Sequence, residues 1–500
     1  MGSKLVLLAT AAVAALAVAP ARAAQPYTVT ELKPLDGTLS YAFDVNLSGQ
    51  STGVMTDERG PAPVYRGFFY DPRSGLVDIG DLGGKSTFAL ALNDNGLVTG
   101  SSQTPSGAAH AFLYTPGVGM KDLGAGSGTQ SFGNDVDEAG NVIGSLSPSS
   151  DAFFWTQSGG IQARGPGEMI GFDARGAVFG QLSGLPGRWS TPLAAFAPFD
   201  PLPPTYTGGA ALDGNIFGQS TGVLDGPQVG QAFYWSGKAF RLLDPPGAVA
   251  SSTGQAINDA SNLVVHGLDP SGNDVVFFYR LPNADPVLNG DSLNPPGSPF
   301  STFLDFTSID DVGHIAGAGR AGSDVHGFIL TPPFSAQADT VGLMLEQNLA
   351  TKNPFWAFVE RMRRVGLASK PDATGCFEFR QLRQSLSVSR GVPFSEAQRG
   401  VATKALTAVL EGNQCANGVP GVPVTVPHIF TRKKEREQIG VRLPRSGRFK
   451  VLVEAPAGAK VEAVNVPKTA KKGTLRITIV ALKLLNGTAT PVTTKVTQPR

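Results

Sequence analysis

The sequence predicts a mainly β fold: a seven-bladed β-propeller closed by its own N-terminal strand, then a small helical domain and a small β-sandwich-like domain. Three observations predict it. A unit of roughly 44 residues recurs seven times before Pro332, the length range of four-stranded propeller blades. The last unit lacks a final strand, and the chain begins with one extra. Composition and charge change at Thr331-Pro332-Pro333.

Five hundred residues exceed one ordinary domain. Gly (62) and Pro (38) make up a fifth of the chain, as suits a turn-rich β protein. The net charge of +1 averages two unlike parts. Residues 1–332 carry 15 Lys/Arg against 29 Asp/Glu, and residues 333–500 carry 26 against 11. An acidic front (−14) and a basic rear (+15) suggest separate folding units.

Residues 1–24 read as a secretory signal: Lys4, then an apolar run over 5–18, then Ala21-Arg22-Ala23 as a small-x-small cleavage site. The run is shorter than the roughly 20 residues a spanning helix needs. The mature chain is therefore expected to start after Ala23 and to be secreted or held in the periplasm or cell envelope.

Within the repeats an aromatic strand returns as GFFY at 67–70, AFLY at 111–114, AFFW at 152–155, AFYW at 232–235, VFFY at 276–279 and GFIL at 327–330, with AAFA at 194–197 as a degraded copy. A turn keeps phase with it, ending at Gly49, Gly96, Gly140, Gly176, Gly214, Ser261 and Gly313. Asn or Asp followed by Gly between alternating apolar residues is a strong hairpin signal, because these residues accept positive φ at little cost. In the second unit the four strands are expected at 88–92, 97–101, 109–114 and 120–123. The stretch at 29–37 aligns with that at 77–84, so the first strand is expected to complete the seventh blade and leave no open edge.

These residues resemble the HAF-type extracellular repeat. His110-Ala111-Phe112 reproduces its name motif, His326-Gly327-Phe328 comes near it, and the Asn-Asp-x-Gly turn and the GMKDLG strand at 119–124 match as well. The resemblance covers about 27–332. It implies an exported, propeller-like fold and brings no assigned chemistry.

Past Pro332 helix signals appear. Asn353-Pro354 opens a candidate helix ending at Gly366, and Ser395-x-x-Gln398 is a capping-box pattern for a helix stopping at Gly412. Weaker candidates lie at 337–350 and 377–387. The two cysteines, Cys376 and Cys415, fall in this part; in an exported chain an isolated pair is expected to form a disulfide. Closing a loop of about 40 residues contributes roughly 3–4 kcal/mol on the chain-entropy model. Free thiols or a metal site are the alternatives, and two Cys without a nearby His do not make a zinc site. Alternating strands at 448–454, 460–466 and 475–482 suggest the small basic sandwich. The basic run at 432–436 is read as a solvated linker rather than a polyanion patch. The expected division is a signal over 1–23, the propeller over 27–332, the helical domain over 334–418, a linker over 419–438 and the last domain over 439–500.

No catalytic constellation is present in the sequence. The five His are scattered, HExxH, GxSxG and phosphate-loop motifs are absent, and the turn aspartates are explained by turn geometry. The stretch 135–141 lacks the 12-residue loop ending in Glu that a calcium hand needs. The expected function is an exported, non-enzymatic binding scaffold for an extracellular polymer or protein. The alternatives are a glycan-cleaving propeller enzyme and a structural envelope protein. Nucleic acid, cofactor, metal and a later membrane span are not expected, and a monomer is. Ligand contact is assigned to the variable connections between second and third strands, which hold Arg66, His110, Trp189, Arg320, Asp324 and His326.

Overall fold

The computed structural model describes residues 27–60, 62–227, 230–243, 250–281 and 288–347; beyond these it describes positions 359, 376, 379, 380, 382, 383 and 386, residues 394–412 and the strands between 424 and 497. Among the described residues, no helix is long and apolar enough to cross a membrane.

The repeats fold as antiparallel sheets whose strand order follows chain order. The second repeat holds Thr87–Leu92, Val98–Gln103, Ala109–Thr115 and Gly119–Asp122, within a residue or two of the expected strands. The third and fourth repeats share one long strand, Gly160–Phe172, and so make a single seven-stranded sheet. In the last sheet the N-terminal strand Thr28–Leu32 pairs with Asp324–Thr331, with Glu31 opposite Phe328. The seventh repeat has only three strands of its own, and the first strand of the chain satisfies the outer backbone groups of the third.

The aromatic third strands are buried on both faces, which is why they read as unbroken apolar runs instead of alternating. Phe112 packs with Phe69 and Ile79 of the preceding repeat, while its neighbour Ala111 packs with Val136 and Phe153 of the next. Each core is thus shared by successive repeats. The series continues past the end of the chain's β region, because Ala316 and Ile329 of the seventh repeat share a core with Leu32, Ala42 and Phe68. Tyr41 Oη donates to Asp305 Oδ2 (2.5 Å) and Thr307 Oγ1 to the carbonyl of Ala42 (2.9 Å), tying the same two repeats.

Two readings of the repeats are corrected. AAFA is not a third strand. In the fourth repeat the third strand is Leu185–Trp189, and Phe196–Pro198 is the fourth. A two-residue turn at Ser183-Gly184, both with positive φ, replaces the expected loop over 181–193 and brings Trp189 into the core. In the fifth repeat Gly214 lies within the strand Gly208–Gly214, and Gly218 (φ 73°) is the turn residue.

After Pro333, α1 (Phe334–Glu346) and α2 (Glu396–Gly412) pack together. The capping box forms as expected: Gln398 N donates to Ser395 Oγ (3.2 Å) and Ser395 N to Gln398 Oε1 (2.8 Å). The candidate helix at 353–366 lies outside the described residues except for Val359, which is helical and buried. Cys376 is buried, and Cys415 lies outside the described residues. The expected bond between them is checked by mass spectrometry of the non-reduced protein: both thiols should resist alkylation, and alkylation of both would refute the bond. The described C-terminal strands form two three-stranded antiparallel sheets and a two-stranded one, Gly447–Arg448 with Thr469–Ala470. Val424–Phe430, within the stretch read as a linker, pairs with Thr490–Thr497.

Candidate functional site

The turn between the first and second strands carries Asn or Asp at one equivalent position in all seven repeats. Its side-chain Oδ1 accepts the backbone N–H groups two and four residues on: at Asn93, from Asn95 (3.0 Å) and Leu97 (2.9 Å). The same pair of bonds forms at Asp137, Asp173 and Asp310. Asn has a spare donor that Asp lacks. It is used between repeats: Asn46 Nδ2 donates to the carbonyl of Asn93 (2.9 Å), Asn93 to Asp137 (2.7 Å), Asn215 to Asn258 (3.0 Å) and Asn258 to Asp310 (2.8 Å). Turn chemistry and repeat stitching thus account for these residues, as the sequence suggested.

Just before the turn each first strand carries a bulge. In the first, third and fifth repeats the residue after the bulge is Asp44, Asp135 or Asp213. One oxygen of each accepts the next residue's N–H and the other reaches the following repeat: Asp44 to Leu92 N (2.9 Å), Asp135 to Phe172 N (2.7 Å) and Asp213 to Ile257 N (2.8 Å). The second, fourth and sixth repeats hold Ala91, Gly171 and Ala256 there. The seventh repeat holds Ser308 at this position, and its hydroxyl donates to Asp44 Oδ1 (2.6 Å). Burial raises the carboxyl of Asp44 to about 6 and that of Asp213 to about 7, with neighbouring aspartates adding to it. Burial also raises Asp135 well above the usual carboxylate range.

These residues line a cavity of about 450 Å³ to which every repeat contributes. A second tier of acids, Asp94, Glu138, Asp259 and Asp311, stands at the following turn position. Lys404 of α2 bonds Glu138 Oε1 (2.9 Å) and Asp94 Oδ2 (3.3 Å). Asp259 Oδ1 accepts Ile216 N (3.0 Å), and Asp311 Oδ1 accepts Asp259 N (2.8 Å). Burial, then Asp311, pushes Asp259 up; burial raises Asp311 to about 7. Among the described lining residues Arg175 is the one arginine or lysine, and it pairs with Asp173 (3.4 Å). A lining of small and apolar residues would have favoured pure scaffolding, and the cavity is instead strongly acidic. Its signal in the sequence is Asp two residues ahead of the turn Asn or Asp in alternate repeats.

The helices cover this turn end. Leu47, Ile216, Ala260 and Val312, all turn residues, pack into the core of α1 and α2. Gln347 Nε2 donates to the carbonyl of Asp259 (3.0 Å) and to Ser261 Oγ (2.9 Å).

The six residues assigned to ligand contact all lie in strands; Arg66, His110, Arg320, Asp324 and His326 stand toward the opposite end of the sheets, whereas Trp189 pairs with Val178 at the turn end. Strands extend into most of the expected loops, so the connections are short. Arg66 pairs with Asp81 (2.8 Å), His110 Nδ1 with Asp122 (3.0 Å) and His326 Nδ1 with Glu31 (2.7 Å). His110 and His326 are thus hydrogen-bond partners of carboxylates within their own sheets. Trp189 is 3% exposed and packs on Phe196 (4.6 Å), so it is a core residue. Arg320 is exposed, and Asp324 lies 4.0 Å from His326 Nε2. They do not converge on one site.

No family model and no curated protein matches this chain. Among solved structures it is similar to selenomethionine-substituted virginiamycin B lyase from Staphylococcus aureus, with a TM-score of 0.43, 11% identity, and coverage of 61% of this chain and 99% of that one. The BP39L lectin from Burkholderia pseudomallei gives a TM-score of 0.34 at 11% identity over 59% and 99%. TolB from Acinetobacter baumannii gives 0.33 at 11% identity over 56% and 79%.

Proposed function

We propose that this chain is an exported β-propeller of seven blades, closed by its N-terminal strand, that binds an extracellular polymer or protein and belongs with the HAF-type repeat proteins. The pairing of Thr28–Leu32 with the last repeat, and the core shared by the seventh and first repeats, support closure. One observation carries the choice of binding face: α1 and α2 are seated on the turn end of the sheets. A partner then meets the opposite end. That end offers exposed groups, among them Tyr65 (44% exposed), whose ring is tilted against Phe88 at 5.2 Å, and, in the last repeat, the exposed Arg320.

The test is a screen of the secreted protein on immobilised polysaccharides and envelope proteins, followed by variants. Tyr65→Ala and Arg320→Ala should each weaken the captured interaction about tenfold, the effect of losing about 1.4 kcal/mol. Lys404→Ala, on the covered end, should leave it unchanged. The reverse pattern, in protein shown to be folded, would overturn the assignment of faces. Export is checked separately: the secreted protein should begin at Ala24.

The enzyme reading keeps one support, the adjacent carboxyls of Asp259 and Asp311, since glycan cleavage uses a carboxylic acid beside a carboxylate. Release of reducing ends from a polysaccharide, abolished by Asp311→Asn, would favour it.

A further inference from the structure

We propose that the acidic cavity at the turn end of the sheets is a binding site for an organic cation bearing a primary ammonium group. The repeats themselves supply the argument. Asp94 and Glu138 occupy the second turn position in the second and third repeats, and Asp259 and Asp311 occupy it in the sixth and seventh. The first pair is bridged by an ammonium of this chain, Lys404 Nζ. The second pair has no such bridge among the described residues.

Asp259 lines the cavity, is 4% exposed, and its Oδ2 has no hydrogen-bond partner among the described residues. A buried carboxylate oxygen beside a second carboxylate needs a proton or a cation. Burial and mutual repulsion raise both carboxyls, so a proton and a bound cation compete for the pair. Among the described residues, the other charged groups acting on the pair include Asp173, Asp310 and Asp94, with Arg175 as an opposing charge. Among the described residues no group of three or more His, Cys, Asp or Glu is placed to hold a metal ion. A compact ammonium with three donors suits paired carboxylates. The space of about 450 Å³ admits a short diamine. The site is at the opposite end from the proposed partner face, so either can fail without the other.

The experiment is calorimetric titration of the full-length protein with 1,4-diaminobutane and with calcium chloride, at pH 6 and pH 8, in two buffers of different ionisation enthalpy. The diamine should bind more tightly at pH 8 and release protons at pH 6. Asp259→Asn should weaken it at least tenfold, and Asp311→Asn serves if that variant does not fold. Three outcomes would overturn the site: heat with calcium but none with the diamine, diamine binding without proton release, or diamine affinity unchanged in a folded variant.

Discussion

Replacing Gly144 by Ala should destabilise the protein by about 3 kcal/mol or more, at the upper end of what overpacking costs. The residue sits on the second strand of its repeat, opposite Gly133 and against Phe153. A Cβ there would overlap the carbonyl oxygen of Phe132 and stand 2.8 Å from Phe153 Cε1. The carbonyl cannot retreat, because it belongs to the neighbouring strand at the bulge, and Phe153 is fully buried between repeats. Gly53, Gly100, Gly180, Gly222 and Gly317 stand at the same place and meet the same kind of carbonyl. The sixth repeat holds Val265 there and moves the glycine to its partner, Gly254. Gly400→Ala supplies the contrast. It lies in α2 with nothing within 4 Å of an added Cβ, so the same change should stabilise by about 0.5–1 kcal/mol. Urea denaturation of the two variants checks the difference in sign; a neutral Gly144→Ala would refute the packing argument.

Stability should fall, not rise, between pH 5 and pH 8. The carboxyls of Asp44 and Asp213 are raised in the folded protein to about 6 and about 7, against an ordinary value near 4 when unfolded. Over that window the folded state holds more protons than the unfolded one, so raising the pH favours unfolding. At about 1.4 kcal/mol per unit the two groups together should cost about 4 kcal/mol from pH 5 to pH 8. Asp71 and Asp269 are shifted the other way by hydrogen bonds from Gln50 and Asn273, and their contribution is lost as pH falls below about 4. The optimum should therefore lie near pH 4, where the raised and the lowered groups balance. Asp259→Asn should flatten the slope, because it removes one of the buried carboxyls that hold a proton more tightly in the folded state. Thermal melts at pH 4, 5, 6.5 and 8 test this; a melting temperature that climbs from pH 5 to pH 8 would refute it.

The sequence by itself determined whatever depends on neighbours along the chain. The second repeat's strands, the capping box of Ser395 and Gln398, and the positive-φ turn residues were legible because alternation, side-chain caps and turn geometry act over a few residues. The missing final strand of the seventh repeat was legible too, since the extra strand at the start has a matching pattern. Where a local signal was weak, the reading slipped. Ser183-Gly184 is itself a turn signal, but the repeat around it is degraded and AAFA stands in for its third strand, so the sequence places Trp189 in a surface connection and not in the core. Only the tertiary structure decided the charge environment. Asp259 and Asp311 are 52 residues apart and become neighbours through the packing of successive sheets. Lys404 reaches Asp94 from 310 residues away, because α1 and α2 settle on the apolar turn residues Leu47, Ile216, Ala260 and Val312. Burial and mutual repulsion then raise the carboxyls. Both follow from three-dimensional proximity, which a pattern along one chain does not encode.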